Sequence, residues 1–397
     1  MSLAAARAVA DAVLYEGYLL YPYRASAAKN RTRWQFGVLG PPSAAGTAFG
    51  EAPDMSMQCL LAPGAGVPTV TVRLRFLQVQ AREVRATRPD GTEERVTELV
   101  VGETSVLTWD EAVEREVVLP DVPLDGEVRF AVSVPGGQDE EPVGDAGRIV
   151  RRRWPLSADV RVTVSPDGEH RRLTVAVTNT HPGPAEDRSQ ALRHSLLSAH
   201  LLLEARNAAF LSVIDPPPEA VGAAARCSQN RCWPVLAGGH DLLLGAPIIL
   251  YDHPRIAEQS RGDLFDSTEI DEILTLRVMT MTDQEKAEAR ATDARAAAII
   301  DRCDAATPAD LQRLHGTCHV DKGSLVRIRP NRRADAQDLF FAGRIARVAA
   351  VVEDVDGGTH VAVTLLDDPA ADLHDWYGRY LYFAPDELVP VAPEEEP

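Results

Sequence analysis

Residues 69–77 carry the run TVTVRLRFL, in which apolar and polar side chains alternate. The even-numbered positions are apolar, namely Val70, Val72, Leu74 and Phe76. The odd-numbered positions between them are polar, namely Thr71, Arg73 and Arg75. Successive side chains of a β-strand point to opposite faces of the sheet. The alternation therefore predicts a half-buried strand, with one face on a core and the other in solvent.

Further runs have the same period of two, and together they predict a sheet protein. They are Val128–Val134, Val160–Val164 and Leu173–Val177. Short strands at close spacing are typical of an antiparallel β-sandwich, which we expect over residues 67–251. The predicted fold class is mainly β with a helical segment: an antiparallel β-sandwich, a helical connector and a C-terminal SH3-like β-barrel.

Two turns carry the tripeptide Pro-Asp-Gly, at residues 89–91 and 166–168, each between alternating runs. Proline presets one turn angle and glycine accepts a positive φ, so both predict hairpins. The surroundings, RPDGTEERVT and SPDGEHRRLT, are loosely alike, which either a duplicated unit or convergence on favourable turn chemistry explains. The acidic stretch GGQDEEPVGDAG at residues 136–147 is predicted to be a flexible loop.

After Tyr251 the apolar period becomes helical, which predicts a helical connector over residues 252–320. Ser267 or Thr268 is expected to cap a first helix. Thr282 and Glu285 have the spacing of a capping box, for a second helix that runs to about Asp304. Thr307-Pro308 predicts the start of a third, short helix. The first helix has an apolar stripe at Ile270, Ile273, Leu274 and Val278.

The two ends of the chain have different characters. Residues 1–66 are predicted to form an N-terminal helix followed by an irregular, aromatic and basic segment. Residues 321–391 return to strand-like runs, such as FAGRIARVAAVVEDV and HVAVTLL, and about 70 residues of this rhythm suggest a small SH3-like barrel. Residues 392–397 form an acidic tail.

The charge balance bears on the partners of the protein. Lys and Arg number 41 against 59 Asp and Glu, a net charge of −18. This opposes general nucleic-acid binding, which needs a concentrated basic surface. The N-terminus lacks the unbroken apolar core of a signal peptide, because Asp11 and Glu16 interrupt it, and no run is long enough to span a bilayer. We expect a cytoplasmic protein without nucleic-acid binding or membrane insertion.

Cys227 and Cys232 are the clearest candidates for a metal site, since their spacing occurs at some zinc sites. A second half would have to come from Cys303, His315, Cys318 or His319. The adjacent pair Cys318-His319 is poorly suited to this, because neighbouring side chains rarely point at one ion. An odd number of cysteines, five, fits a reducing compartment better than a disulfide framework. We predict ordinary thiols, no metal and no cofactor.

The chain also lacks the usual signatures of catalysis. It has no nucleophile elbow, phosphate-binding loop, dinucleotide fingerprint or HExxH helix. We therefore predict that the protein is not an enzyme and has no catalytic residues. The alternative is an enzyme whose site is assembled from residues that lie far apart in the sequence.

The segment Tyr15–Trp34 interleaves aromatic and basic residues, which is unusual in so acidic a chain. Aromatic and arginine side chains dominate the energetics of protein interfaces. The segment is therefore predicted to bind a partner, unless its tyrosines fix it to the sandwich and its cations pair with the acidic surface. The candidate partner-binding residues are Tyr15, Tyr18, Tyr21, Tyr23, Arg24, Lys29, Arg31, Arg33 and Trp34.

Several runs resemble a family of bacterial proteins, itself without a known active site, encoded near operons for respiratory nickel–iron hydrogenases. The runs are YEGYLLYPYRASAAKNRTRWQFGVL at residues 15–39, PIILYDHP at 247–254, GDLFDSTEIDEILTLR at 262–277 and MTDQEK at 281–286. The resemblance implies an accessory, assembly or scaffold protein that binds hydrogenase subunits or maturation factors. A structural subunit of a larger complex or a β-rich small-ligand-binding protein is the alternative, and a zinc-dependent enzyme is less favoured.

Overall fold

A computed structural model of the chain describes residues 3–20, 22–27, 29–30, 33–34, 36–102, 104–256, 271–307, 310–311, 322–329, 341–353, 359–366, 380–384 and 387–391. The chain divides into two compact units. The described residues up to 256 and those from 271 to 304 belong to the first unit, and those from 305 onward to the second. The predicted divisions at 66/67 and 251/252 thus fall inside the first unit.

The first unit combines strands with short helices. Its strands are β1 (Asp54–Pro63), β2 (Thr69–Thr87), β3 (Glu93–Val96), β4 (Glu98–Val101), β5 (Thr104–Leu107), β6 (Trp109–Pro123), β7 (Gly126–Val134), β8 (Gly137–Val143), β9 (Gly147–Arg153), β10 (Leu156–Asp167), β11 (His170–Asn179), β12 (Leu197–Arg206), β13 (Ala208–Leu211), β14 (Trp233–Leu236) and β15 (Leu242–Ala246). Its helices are α1 (Leu3–Tyr15), α2 (Arg188–Arg193), α3 (Val221–Ala224), α4 (Asp271–Met279), α5 (Asp283–Thr292) and α6 (Ala294–Asp304), with 3-10 turns at Pro42–Ala44 and Pro218–Ala220.

Two antiparallel sheets share one hydrophobic core, as in a β-sandwich. One has the order β13-β1-β11-β10-β7 and the other β14-β15-β12-β2-β9-β8, with β3 and β6 also paired to β2; β4 and β5 form a separate pair. The predicted mainly β, antiparallel fold is confirmed. The apolar positions of the alternating runs meet in the shared core, among them Val70, Val72, Leu74, Phe76, Val160, Val162, Leu173 and Val175.

Strand β2 organises the larger sheet because both of its edges are paired. One edge pairs with β6 over residues 69–82 and with β3 over 84–87. The other edge pairs with β12 over residues 69–77 and with β9 over 80–86. Its 19 residues are rich in β-branched and other apolar side chains, which suit a strand surrounded by neighbours.

The prediction of a half-buried strand is wrong for β2, because helices and the N-terminal segment cover its second face. Thr71 and Arg75 are buried, and the Arg75 guanidinium pairs with the carboxylates of Asp11 on α1 and Glu116 on β6. Helix α1 packs its apolar stripe on β12, β14 and β15. The stripe has the helical spacing i, i+3, i+4, i+7: Ala6, Val9, Ala10 and Val13.

Both Pro-Asp-Gly turns close hairpins, as predicted. Gly91 has φ +80° and joins β2 to β3, and Gly168 has φ +65° and joins β10 to β11. The two loops differ in length, since the last paired residues are Thr87 with Glu93 in one hairpin and Asp167 with His170 in the other. The hairpins also lie in different sheets. These differences favour convergence on the same turn chemistry over a duplicated unit.

The predicted flexible loop at residues 136–147 is instead a hairpin made by β8 and β9, so that prediction is wrong. Arginines on β9 explain why this acidic sequence forms a strand. Arg148 pairs with Glu140, Arg151 with Glu141 and Arg153 with Asp139, at N–O distances of 2.7, 2.6 and 2.6 Å. Cross-strand ion pairs favour strand pairing. The acidic sequence of residues 136–147 alone does not indicate these pairs, because the arginines follow it in the chain.

The helices of the predicted connector pack on the first unit. Thr282 and Glu285 form the predicted capping box at the start of α5. The helix expected to reach Asp304 is broken at Asp293, which has extended backbone angles and separates α5 from α6. In α4, Leu274 and Val278 are buried as predicted, whereas Ile273 is partly exposed. Ser267, Thr268, Ile270 and Pro308 lie outside the described residues.

The second unit has one antiparallel sheet with its own core. Its strands are β16 (Leu325–Ile328), β17 (Ile345–Glu353), β18 (Thr359–Leu365), β19 (Leu381–Phe383) and β20 (Leu388–Pro390), in the order β19-β18-β17-β16-β20. Its core includes Val326, Val348, Val363 and Phe383. Among the described residues the pairings do not close this sheet into a barrel.

His200 is a buried polar residue at an irregularity of the larger sheet. The pairing of β12 with β2 shifts between Leu197 and His200, and Ser198 has φ +50°. The His200 Nδ1 lies 2.9 Å from the Ser198 carbonyl oxygen and donates to it, whereas Nε2 has no hydrogen-bond partner within the described chain. Burial lowers the pKa of His200 to about 3, and the nearby Arg75 charge also lowers it.

We expect His200 to make the stability of the first unit depend on pH. Its folded pKa lies below the unfolded value of about 6.5, so the unfolded chain binds the additional proton as the pH falls. The free energy of unfolding should decrease from about pH 6.5 towards the folded pKa, by up to about 1.4 kcal/mol per pH unit. Urea unfolding of the wild type and His200→Gln at several pH values tests this. Equal pH slopes for the two proteins would contradict it.

Candidate functional site

The basic–aromatic segment, Tyr15–Trp34, begins where α1 ends. Gly17 has φ +77°, a conformation that glycine adopts easily just beyond a helix. The Trp34 amide then donates to the Gly17 carbonyl oxygen at 2.8 Å, which closes the segment on itself. The segment is therefore a compact loop that returns to the end of the helix.

Most of the predicted partner-binding aromatic residues are buried inside the chain. Tyr15, Tyr18, Tyr23 and Trp34 are each at most 4% exposed and pack with Leu77 and Val79 of β2 and with α4–α6. Tyr18 and Trp34 are stacked with ring centroids 6.1 Å apart. Tyr21 and Arg31 lie outside the described residues. In this structure the four described aromatic side chains belong to a core, and of the four Trp34 also lines a cavity.

The hydroxyl groups of two tyrosines reach the junction of α5 and α6. Tyr18 donates to Asp293 Oδ2 at 2.6 Å, and Asp293 Oδ1 accepts from the Arg295 amide at 2.8 Å. One carboxylate thus caps α6 and also holds Tyr18. The Tyr15 hydroxyl contacts Glu114 on β6 and Arg295 on α6. Burial raises the pKa of both tyrosines, so both remain neutral donors.

Acidic side chains of α5 bind the rest of the segment. The amide and hydroxyl of Ser26 donate to the Glu288 carboxylate at 2.7 and 3.0 Å. Arg24 forms an ion pair with Glu285, the residue that completes the capping box. Lys29 is exposed. These contacts match the alternative in which the segment is fixed to its own chain, with its cations paired to the acidic surface.

Arg33 lies among three aromatic rings. Its guanidinium carbon is 3.8 Å from the ring centroid of Trp109, 4.5 Å from that of Trp34 and 5.5 Å from that of Tyr18. Its Nη2 donates to the Asp110 backbone carbonyl oxygen at 3.1 Å. Burial lowers the pKa of Arg33. A guanidinium held by stacking in this way has little rotational freedom.

A cavity of about 270 Å³ opens beside this guanidinium, and seven described residues line it: Asn30, Arg33, Trp34, Asp110, Arg188, Ser189 and Leu192. Arg188 bridges the segment through Nη2, which lies 3.3 Å from the Arg33 carbonyl oxygen and 3.4 Å from that of Trp34. Within the described part of the chain, neither arginine forms an ion pair with a carboxylate. The cavity is therefore lined by two cations and one carboxylate, Asp110, and neither cation forms an ion pair within the described chain.

Arg33 and Trp34 of this site are among the residues predicted from the sequence, whereas Asp110, Arg188 and Asn30 are not. Trp109 and Asp110 begin β6, and Arg188 begins α2, so they meet the segment only in the folded chain. No spacing in the sequence relates these positions. The high proportion of arginine and tryptophan around them was the one available signal.

Cys227 and Cys232 flank a segment that pairs with the edge of β1. Ser56 and Asn230 exchange backbone hydrogen bonds of 2.9 and 2.8 Å. The side-chain amide of Gln229 bonds the backbone N–H and carbonyl oxygen of Gln58, at 2.9 and 2.8 Å, as a strand peptide would. The residues between the two cysteines thus have a structural role at the sheet edge.

The thiols themselves are poorly placed to bind metal. Cys232 is fully buried, and burial raises its pKa to about 12. Cys227 is partly buried, with its pKa also raised by burial. In the ranges that the structure describes, no three His, Cys, Asp or Glu side chains are grouped so that they could hold a metal ion. His315, Cys318 and His319 lie outside those ranges.

The run PIILYDHP is fixed by Asp252. Its Oδ1 accepts from the Leu236 amide at 2.7 Å, and its Oδ2 accepts from the Ser212 hydroxyl. Ile249 and Tyr251 point into solvent with 81% and 85% of their surface exposed. Asp252 therefore acts in folding, whereas Ile249 and Tyr251 are exposed within the described part of the chain.

No protein-family model matches the chain, and no curated protein is significantly similar to it. Of the helices that the structure describes, none has both the length and the apolar character required to cross a membrane.

We expect Tyr18→Phe to destabilise the first unit, because it removes the donor to Asp293 and leaves a carboxylate oxygen without that partner. The free energy of unfolding should fall by about 1–3 kcal/mol. Urea unfolding followed by tryptophan fluorescence measures the change. Tyr251→Phe is the matched control, since Tyr251 is 85% exposed, and it should leave stability unchanged. Equal stability of Tyr18→Phe and the wild type would contradict the assigned contact.

Proposed function

We propose that this chain is a non-catalytic accessory or scaffold protein that binds other proteins. The observation that carries the proposal is the cavity between Arg33 and Arg188. Two arginines line it without a paired carboxylate among the described residues, and two tryptophans hold Arg33 in place. A site built in this way is suited to bind an anionic group.

The cavity changes the role that we propose for the basic–aromatic segment. Its buried tyrosines support the site from within, and its cations Arg33 and Lys29 lie at or near the surface that a partner would contact. Arginine and tryptophan at a pre-formed cavity are typical of interface hot spots. We therefore propose that a partner contacts the rim of the cavity and leaves Tyr15, Tyr18 and Tyr23 in the core.

The proposed partners are hydrogenase subunits or maturation factors, and the proposed location is the cytoplasm. The support for the partners is the resemblance of residues 15–39, 247–254, 262–277 and 281–286 to proteins encoded near nickel–iron hydrogenase operons. The odd number of cysteines, five, supports the location. Accessory proteins hold their partners transiently, which suits a small polar site better than a large apolar one. Such a role needs no metal or cofactor in the chain itself.

We also propose that the second unit is an SH3-like barrel that acts as a binding module. In support, its last strand, β20, pairs with its first, β16, and the remaining strands follow in sequence order. Arg327 and Arg347 donate to the carbonyl oxygens of Gly343 and Gly323 at 3.4 and 3.3 Å. The net charge of −18 favours a protein ligand over DNA for this unit.

A β-rich small-ligand-binding protein is the second candidate, because the same cavity suits a small anion. The two functions differ in what the cavity recognises in the cell. If the chain binds only a small molecule, no protein should be retained at the cavity, and substitutions of the lining should not change protein capture.

The proposal predicts that hydrogenase subunits or maturation factors co-purify with the tagged full chain from its own organism. Arg188→Met should reduce their recovery about tenfold, because it removes one of the two cavity cations. Arg206→Met is the control: Arg206 is an exposed arginine on β12, and its loss should leave recovery unchanged.

Deletion of the gene should in addition lower hydrogen uptake. Normal uptake in the deletion strain, together with no co-purified hydrogenase protein, would contradict the proposed function.

A further inference from the structure

We infer that the cavity binds a single carboxylate on a short aliphatic stem, as a glutamate side chain of a partner protein presents it. This inference rests on the proposed function and names the group that is recognised. It follows from the charge, the size and the lining of the cavity.

The charge of the cavity selects a monoanion. The described lining contains two cations, Arg33 and Arg188, and one anion, Asp110, so its formal charge is +1. One carboxylate neutralises it. A phosphate, with nearly two negative charges, would place excess negative charge beside Asp110 in a partly desolvated site. The planar guanidinium groups match the geometry of carboxylate and phosphate alike, so the charge decides between the two.

The size and the lining of the cavity favour an amino-acid side chain as its ligand. The volume, about 270 Å³, is smaller than the roughly 300–1,000 Å³ of typical pockets for drug-sized ligands and cofactors. Leu192 and the Trp34 ring supply apolar contacts for a short stem, and Asn30 supplies a side-chain amide. A glutamate side chain has both parts, a stem of two methylene groups and one carboxylate.

The cations of the cavity are held in place before any ligand binds. Trp109 and Trp34 stack on the Arg33 guanidinium, and Arg188 is positioned by the carbonyl oxygens of Arg33 and Trp34. Binding therefore costs little side-chain entropy. The buried Arg33 charge lacks an ion-paired carboxylate in the described chain, and a bound carboxylate would offset that unfavourable desolvation.

The test is a titration of the full chain with small probes, followed by the indole N–H signals of Trp34 and Trp109 in NMR spectra. The probes are the peptide acetyl-Gly-Gly-Glu-Gly-Gly-amide, its Gln counterpart, butyrate and inorganic phosphate. We expect the Glu peptide to shift the Trp34 and Trp109 signals saturably and those of Trp154 and Trp233 not at all. The Gln peptide and phosphate should bind at least about tenfold more weakly.

Two variants give opposite expectations. Arg188→Met should weaken binding of the Glu peptide about tenfold or more, whereas Asp110→Asn should strengthen it, because the formal charge of the lining rises to +2. The strengthening by Asp110→Asn keeps the test decisive even if Arg188→Met fails to fold. Arg206→Met should leave binding unchanged.

The inference is overturned if the Gln peptide or phosphate binds as tightly as the Glu peptide, or if no probe shifts the two indole signals. Tighter binding of butyrate than of the Glu peptide would assign the cavity to a free carboxylic acid and overturn the protein source. The proposed function is judged separately. Capture of hydrogenase proteins that survives Arg188→Met would refute the cavity as the contact while leaving the accessory role in place.

Discussion

The hydrogen bond from the Tyr18 hydroxyl to the Asp293 carboxylate is the contact on which the layered arrangement of the first unit depends. Tyr18 is fully buried and Asp293 is partly buried, so a carboxylate oxygen left without this donor would be costly. Asp293 ends α5 and caps α6, so one residue sets the angle between the helices and receives the segment. The basic–aromatic segment and helices α4–α6, which form a third layer on the larger sheet, meet at Asp293.

That third layer explains the distribution of charge in the chain. The segment is locally basic, and the helices that hold it present Glu285 and Glu288 to it. Although the net charge of the chain is −18, opposite charges are paired locally within the first unit. Arg33 differs, since stacking holds it beside the cavity and it forms no ion pair with a carboxylate of the described chain. A buried cation without an ion pair, at the edge of a cavity, is where recognition of an external anion is expected.

The sequence predicted features that depend on neighbours along the chain. Each of three features follows from a few consecutive residues: the extended conformation of β2 (though not the burial of its second face), the two Pro-Asp-Gly hairpins and the Thr282–Glu285 capping box. Features that depend on a contact with a residue distant in the sequence were not predicted. Strand β8 forms because arginines on β9 face its carboxylates. Arg75 is buried because Asp11 and Glu116 pair with it. The cavity joins residues 33, 110 and 188, and no local pattern connects them.

The described residues of the basic–aromatic segment form an internal part of the first unit, held by the junction of α5 and α6. Hydrogen–deuterium exchange of the Trp34 amide, which donates to the Gly17 carbonyl oxygen at 2.8 Å, tests it most directly. We expect this amide to exchange as slowly as the amides of α5, and Asp293→Asn to accelerate the exchange of both. Exchange of the Trp34 amide at the rate of an unstructured peptide, while β2 stays protected, would contradict it.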